Sequence, residues 1–183
     1  DRNANGEVYV WRGSTGGRPK ILYSIDPHMD PSDADKVQRL VRKAGQEWAR
    51  VADIDFEVAA TGDESHFTVV LHEHVVDLAR AFFPGDYHMA QSAQTMQMSR
   101  KLLGLNDYQQ LATVTHELGH VLGLLHPHAP QHSRFALGPD VNSSSIMNPI
   151  GASLRPDGMS MLSKEDVLAA QLLYGPRSTN SST

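Results

Sequence analysis

The sequence predicts an α+β fold in which a mixed sheet and three helices form one domain. Short β-branched and aromatic runs alternate with three longer segments that have helical periodicity. The chain has no internal repeat, and its 183 residues suit a single domain of ordinary size. A three-layer arrangement of the same elements is left open by this pattern.

Composition narrows the possible functions. The chain has no cysteine, which excludes disulfides, thiolate catalysis and zinc–thiolate sites. Its formal net charge is −5 with interspersed signs, so we expect no nucleic-acid partner. No apolar run approaches the roughly 20 residues that span a bilayer. Ten histidines remain as ligands for a transition metal, together with carboxylates.

The first half of the chain contains one predicted helix among predicted strands. Ser32 is expected to cap this helix, because apolar residues then recur at helical spacing from Val37 to Val51. Strands are predicted where apolar runs lie between turn residues, at Val8–Arg12, Lys20–Ile25, Ile54–Val58, Phe67–Leu71 and, as a short edge strand, Ala79–Phe83.

The second half contains two predicted helices separated by a long irregular segment. The first runs from Asp107 to about Leu122, with Gly123 where a helix would end. Residues 126–161 have little periodicity, and so long a loop in a small domain is usually functional. A capping box at Ser163–Asp166 opens the last helix, which ends at residues 174–176. We expect residues 176–183 to form a flexible polar tail.

The segment from His116 to His126 carries the chemistry. Residues four apart share a helix face, so His116 and His120 can direct imidazole nitrogens to one metal ion. Gly123 allows the chain to turn back, and His126 can then complete a three-histidine site with a fourth position open for water. Glu117 is turned about 100° from His116, which suits a base acting on that water.

Two alternatives to this metal site were weighed. A core helix with incidental histidines is disfavoured, because two imidazoles and a carboxylate make a poor apolar face. The full pattern would arise by chance in this composition with a probability on the order of one in ten thousand. His128 or His132 could replace His126, but the spacing after Gly123 favours His126.

This segment resembles the extended zinc-binding motif of the metzincin peptidases. Ser145–Pro149 is similar to their Met-turn, with Met147 as the methionine beneath the metal. Pro149 lies where the astacin branch has a tyrosine, which separates the chain from that branch. The most similar branch is the matrixins, on the strength of weaker matches at Trp11, Tyr23, Trp48 and residues 79–85, 162–166 and 173–175.

The resemblance implies a metzincin-like catalytic domain over residues 1–175. Its upper lobe, residues 1–123, would hold a twisted mixed sheet and two helices. Its lower lobe, residues 124–175, would hold the Met-turn and the C-terminal helix, with the substrate cleft between the lobes. Asp166 corresponds to a family aspartate that braces the Met-turn, although capping of its own helix explains it equally well.

The function implied is that of a secreted zinc endopeptidase. His116, His120 and His126 would bind one catalytic Zn²⁺, and Glu117 would move a proton from a zinc-activated water to the leaving amine. Met147 is expected to form an apolar floor rather than to act as a ligand. The alternatives are a catalytically idle metzincin-like binding domain and a histidine-rich structural or metal-buffering zinc domain. Intact Glu117 and the open three-ligand pattern disfavour both.

The resemblance also implies substrate-binding residues. An extended protein or peptide substrate would pair with the edge strand through Ala79, Arg80, Ala81 and Phe82. A selectivity pocket would lie between Ala112 and the loop that begins at Pro149 and Ile150. The small Ala112 predicts a deep pocket for a large apolar residue just after the cleaved bond. We expect the enzyme to act as a monomer.

A second, structural metal and the cellular location are further expectations. His72 and His74 share one strand face and could hold Zn²⁺ or Ca²⁺ with His66, His88 or Asp86, but surface histidines are the favoured interpretation. No signal-peptide pattern begins at Asp1, so we expect either a cytosolic protein or a processed form. The resemblance favours the processed, extracellular form.

Overall fold

The α+β fold class is confirmed by the computed structural model, which describes residues 9–13, 17–60, 63–73, 77–84, 94–126, 144–148 and 160–178. These residues form five strands, three α-helices and a short 3-10 helix. The strands are β1 (Lys20–Ile25), β2 (Asp55–Val58), β3 (Phe67–His72), β4 (Ala79–Arg80) and β5 (Thr95–Ser99). The helices are α1 (Pro31–Ala49), α2 (Asp107–Val121) and α3 (Lys164–Tyr174), and the 3-10 helix is Arg100–Gly104.

The strands form one mixed sheet in the order β2-β1-β3-β5-β4. The first three pairings are parallel, whereas β4 runs antiparallel to β5 at the edge of the sheet. The edge position predicted for residues 79–83 is therefore correct, but only Ala79 and Arg80 pair with β5. The chain leaves the sheet after Arg80 because the Phe82 ring turns into the core against Phe67.

Helix α1 packs against both the sheet and α2, and α2 also contacts the sheet at β4. Trp48, near the end of α1, is fully buried and donates its indole N–H to the carbonyl of Thr115 in α2 at 2.9 Å. The apolar core continues through side chains of β1, β3 and β5, including Tyr23, Phe67 and Met96. Burial of these large side chains is the main force that holds the helices on the sheet.

Several local predictions need correction. Strand β5 was not predicted, because its buried positions are Met96, Met98 and Ser99 rather than β-branched residues. Tyr9–Arg12 form no strand, since the Trp11 indole instead donates to the Val121 carbonyl at 2.8 Å and holds the segment on the end of α2. Asp30, not Ser32, caps α1, because Pro31 occupies the first helical position and Asp30 accepts from the Ser32 N–H.

The residues just after α3 are held rather than free. Pro176 forms a β-bridge with Ala52, and Arg177 pairs with Asp55 at 2.8 Å. The flexible tail predicted from residue 176 is therefore wrong for residues 176–178, while residues 179–183 lie outside the described part. In the described ranges, no helix has the length and apolarity needed to cross a bilayer. The division into two lobes at Gly123 stays a prediction.

Candidate metal centre

The C-terminal half of α2 and the turn that follows it position the three histidines. Helical spacing places His116 and His120 on one buried face of α2. The helix ends at Gly123, whose φ of +96° favours glycine. The Gly123 N–H donates to the His120 carbonyl and the Leu124 N–H to the Gly119 carbonyl, at 2.8 and 2.9 Å. This turn reverses the chain and brings His126 to the other two histidines.

The three imidazoles converge through their Nε2 atoms. The Nε2 atoms of His116, His120 and His126 lie 3.0–3.1 Å from one another. The Nδ1 atom of His116 donates to the Ile146 carbonyl at 2.7 Å, and that of His120 to the Leu124 carbonyl at 2.8 Å. Because a neutral imidazole carries one proton, the Nε2 atoms of His116 and His120 both face the centre as lone pairs.

This donor set fits a zinc ion. Two facing Nε2 lone pairs cannot hydrogen-bond to each other, so they need a shared cation to offset their repulsion. Tetrahedral ligands at about 2.0–2.1 Å from zinc lie about 3.3 Å apart, close to the observed spacing. Hydrogen bonds from Nδ1 to backbone carbonyls are also the usual way in which zinc-binding histidines are oriented. Within the described ranges, these histidines form the one group of at least three metal-ligating side chains.

Burial keeps two of the ligand histidines neutral in the metal-free protein. It lowers the pKa of His116 to about 4, a shift that its bond to the Ile146 carbonyl opposes. Burial lowers the pKa of His120 to about 3, and the charge of neighbouring His116 adds to that shift. Both imidazoles therefore offer lone pairs over the whole physiological pH range, which is the state that a metal ion needs.

Glu117 is a buried carboxyl group with unused hydrogen-bonding capacity. Its side chain is 6% exposed and accepts a hydrogen bond from the Ala81 backbone, at the end of the edge strand. Its Oε2 atom has no hydrogen-bond partner among the described residues. Burial, together with the negative charge of Asp77, raises the pKa of Glu117 to about 7, a shift that the bond from the Ala81 backbone opposes. A buried carboxyl that exchanges its proton near neutral pH is suited to acid–base chemistry.

The turn around Met147 lies against the helix between the two ligands. Met147 is buried, and its Sδ atom is so close to Gly119 that a methyl group built there would lie 2.3 Å from it. The preceding residue, Ile146, supplies the carbonyl that accepts from His116. Met147 therefore packs against the helix at Gly119, one residue before His120, and its role as the methionine of a Met-turn stays a prediction.

Asp166 joins this turn to α3. Its carboxylate accepts from the Ser145 hydroxyl at 2.6 Å and from the Ile146 N–H at 2.8 Å. The same carboxylate accepts from the Ser163 N–H and completes the capping box of α3. The two roles weighed for Asp166, bracing the turn and capping the helix, are therefore held by one buried side chain.

Three aromatic residues make contacts near the centre that the sequence did not predict. The Phe83 ring packs edge-on against His120, with ring centroids 5.0 Å apart. The Tyr174 hydroxyl donates to the Leu122 carbonyl at 2.9 Å, and the Trp11 indole donates to the Val121 carbonyl at 2.8 Å. These bonds satisfy carbonyls that the end of a helix leaves open. The one sequence signal for these contacts is that the three residues are aromatic.

The predicted substrate-binding residues are only partly described. Ala112 is fully buried one turn before His116 on the same side of α2. Ala79 and Arg80 form the edge strand, whereas the Phe82 side chain packs in the core against Phe67. Pro149 and Ile150 lie outside the described residues, as do the competing ligands His128 and His132.

The second metal site that the sequence left open is not shown by the described residues. His72 is exposed at the end of β3. His66 is engaged elsewhere, since its Nδ1 accepts from the Leu22 N–H at 2.8 Å and its ring packs on Trp11. The other candidates, His74, Asp86 and His88, lie outside the described residues.

Comparison with known proteins supports the same assignment. Metallopeptidase AprA of Pseudomonas marginalis is 30% identical over 204 residues, which cover 96% of this chain and 42% of that protein. Macrophage metalloelastase of Rattus norvegicus is 30% identical over 84% of this chain and 31% of that protein. Matrix metalloproteinase-20 of Homo sapiens is 26% identical over 88% of this chain and 33% of that protein. The chain thus spans about a third to two fifths of these relatives.

A family model extends this likeness over nearly the whole chain. The model described as Matrixin matches residues 11–175. The matched range includes the sheet, α1, α2 and α3 as well as the three converging histidines. The chain therefore belongs to the matrixin family.

Proposed function

We propose that this chain is a zinc endopeptidase that hydrolyses peptide bonds in protein segments bound in extended form. The observation that carries the proposal is the convergence of three imidazole Nε2 atoms 3.0–3.1 Å apart on the helix that also carries the buried Glu117. A purely structural zinc site would use four protein ligands. A buried carboxyl oxygen that has no hydrogen-bond partner among the described residues, next in sequence to a ligand histidine, is better suited to catalysis.

The metal would be held by His116, His120 and His126. When bound, zinc supplies a Lewis acid for the scissile carbonyl and brings the pKa of a water molecule toward neutrality. Hydrogen bonds from His116 and His120 to backbone carbonyls hold these two rings in the tautomer that ligation requires. Phe83 packs edge-on against the His120 ring, and Met147 packs against Gly119 on the helix turn between the two ligands.

Glu117 would move the proton in the reaction. Its free Oε2 atom can accept a proton from the attacking water and then deliver it to the leaving amine. In the metal-free protein, burial raises the pKa of Glu117 to about 7, which suits a group that takes up and releases a proton near neutral pH. The bond from the Ala81 backbone keeps the carboxyl group beside the edge strand along which a substrate would lie.

The edge strand and Ala112 would select the substrate. An extended segment can add to β4, which has no partner on its outer side among the described strands, through backbone hydrogen bonds. A side chain as small as that of Ala112, one turn before His116, would make the selectivity pocket deep enough for a large apolar side chain after the cleaved bond. A peptide library should therefore favour leucine, phenylalanine or methionine there. A preference for small or acidic residues would contradict this role of Ala112.

Cleavage of casein by the purified chain tests the proposed activity. Wild-type protein should cleave it, and a chelator should stop the reaction. Glu117→Gln should keep zinc yet lose at least about a hundredfold in rate, because only the proton transfer is removed. Glu165→Gln, a conservative change in the first turn of α3, should leave the rate unchanged.

Two results would contradict the proposal. Cleavage by Glu117→Gln at the wild-type rate would exclude the role of Glu117. Stoichiometric zinc without any cleavage by wild-type protein would favour an idle binding domain instead. An extracellular location, which family membership favours, stays a prediction.

A further inference from the structure

A groove on the far side of α2 is separate from the metal centre. It has a volume of about 470 Å³ and lies between α1 and the first turns of α2. Asp107 and Leu111 line it from α2. At 100° per residue, His116 is half a turn around the helix from Asp107, so the groove opens away from the histidines. No step of the proposed reaction uses it.

The α1 side of this groove is strongly basic. Lys36, Arg39 and Lys43 recur at helical spacing and form one rim. Arg39 and Lys43 form no ion pair with any residue in the described ranges, and Lys36 approaches only Asp33, at 3.9 Å. The opposite rim carries one carboxylate, Asp107, so three cations and one anion leave an excess of two positive charges. That excess is notable in a chain whose net charge is −5.

The groove also has an apolar floor. Leu40 is buried and Leu111 is half-buried between the two helices, and the Tyr108 ring lies at the α2 rim. A volume of this size accommodates a few residues of a peptide. Cations around apolar side chains complement a ligand that carries carboxylates around an apolar side chain.

We propose that this groove, lined by Lys36, Arg39, Lys43, Leu40 and Leu111, binds an acidic segment of another protein that inserts an apolar side chain between its carboxylates. An extended polyanion, such as nucleic acid or an anionic membrane, fits less well for two reasons. The parts of such a polyanion that extend beyond the groove are repelled by the rest of this acidic chain. The polyanion would also leave the recessed leucines uncovered. The groove is therefore a peptide-docking surface that acts independently of peptide hydrolysis.

Binding of a fluorescein-labelled peptide of glutamate and leucine, followed by anisotropy, tests this proposal. Every protein used also carries Glu117→Gln, so that the probe is not cut. Saturable binding is expected below about 1 mM. Arg39→Glu and Lys43→Glu should each weaken it at least about fivefold, because each reverses a charge at the rim. Arg42→Glu, the same type of change at an exposed α1 residue outside the groove, should change it less than about twofold.

Two further measurements separate this groove from general charge attraction. Replacing leucine by serine in the probe should weaken binding at least about fivefold, because the apolar floor is then left uncovered. Polyphosphate and vesicles of anionic lipid should bind more weakly than the peptide. Melting curves identify any variant that fails to fold, for which Arg39→Gln or Lys43→Gln is used instead.

Several outcomes would overturn the proposal. These are absence of saturable binding, equal weakening by Arg42→Glu, equal affinity for the serine probe, and tighter binding of polyphosphate or vesicles. In a background without Glu117→Gln, Arg39→Glu and Lys43→Glu should cleave a short neutral peptide like wild type. Failure of docking is thus distinguishable from failure of the proposed peptidase activity.

Discussion

Gly119 shows how closely the residues around the histidines are packed. A methyl group built at this position would lie 2.3 Å from Met147 Sδ and 3.1 Å from Trp48 Cζ2. We expect Gly119→Ala to lower the free energy of unfolding by about 1–3 kcal/mol, because overpacking forces neighbours to move. Zinc affinity should fall as well, since the residue lies between His116 and His120. Urea unfolding and zinc titration measure the two effects.

The matched control is Gly104→Ala, where a methyl group would meet no atom within 4 Å. That change should be neutral or slightly stabilising. Combining Gly119→Ala with Met147→Ala should cost less than the sum of the two single changes, because the clash then disappears. Strict additivity of the two would show that contact with Met147 is not the cause.

The buried ionisable residues predict how the metal-free protein responds to pH. The pKa of His116 is about 4 and that of His120 about 3, so between pH 4 and 6.5 only their unfolded forms bind protons. Stability contributed by the two histidines is therefore lost as pH falls through this range. Glu117 acts in the opposite sense, because its raised pKa of about 7 means that the native carboxyl holds a proton that the unfolded one releases. Its contribution falls as pH rises.

Glu117→Gln should reveal this opposition. In this variant the native state no longer holds the proton that Glu117 binds in wild type. The free energy of unfolding of the chelated variant should therefore rise with pH more steeply than that of chelated wild type. Between pH 5 and 6.5 the difference in slope should be about 1 kcal/mol per pH unit. Denaturant titrations across this range, with chelator present, measure it. Parallel pH dependences would show that Glu117 has an ordinary pKa.

Individual residues differ in how far the sequence could predict them. The spacing of His116, His120 and His126 was enough to predict that the three side chains converge, because the helix period and the turn at Gly123 are local properties of the chain. The role of Phe83 against His120 depends on where the edge strand leaves the sheet, which is set by tertiary packing. The contacts of His66 with Leu22 and Trp11 likewise join segments far apart in the chain.

Among the elements, α2 and α3 are linked by Asp166. This carboxylate accepts from Ser145, Ile146 and Ser163, and Ile146 in turn accepts from His116. We expect Asp166→Asn to lower the free energy of unfolding by about 2–3 kcal/mol, because an amide cannot accept from all three buried donors. Zinc affinity should fall roughly tenfold through the shifted Ile146 carbonyl.

Glu165→Gln provides the comparison at the neighbouring position of the same helix turn. It removes one carboxylate from the start of α3 but touches no donor from the turn around Met147. Its effect on unfolding should remain below about 0.5 kcal/mol, and zinc titration should be unchanged. Equal destabilisation by the two variants would mean that Asp166 acts only through the dipole of α3.

Elements with strong local signals were the ones that sequence analysis located. Helices α1, α2 and α3 carry caps and apolar periodicity, and β1 and β3 carry β-branched runs. Strand β5 was missed because Met96 and Met98 have only weak strand preference, and pairing with β3 and β4 stabilises it. The predicted strand at Val8–Arg12 was wrong over Tyr9–Arg12, because Trp11 bonds to α2 instead.

At the scale of the whole molecule, the metal centre joins segments that are distant in sequence. His116 and His120 belong to α2, and His126 follows the turn that ends this helix. Hydrogen bonds from His116 to the Ile146 carbonyl and from the Ile146 N–H to Asp166 connect α2 to α3. The family model covers these segments together. The α+β fold class was predicted from the alternation of strand and helix patterns, and the resemblance at the zinc motif implied the same class. The lengths and positions of the loops carried no comparable signal.

Because the metal centre connects α2 to α3, we expect zinc to stabilise the entire domain. Ligand that binds only the native state raises the free energy of unfolding by about 4 kcal/mol at a thousand times its dissociation constant. Chelated wild-type protein should therefore melt at a lower temperature, in one transition, and zinc should restore it. Glu117→Gln should respond in the same way, because Glu117 is not a ligand, whereas His120→Ala should melt at one temperature with or without zinc. Calorimetry on the three proteins measures this. A melting temperature of His120→Ala that rises with zinc as in wild type would show that the metal is held elsewhere.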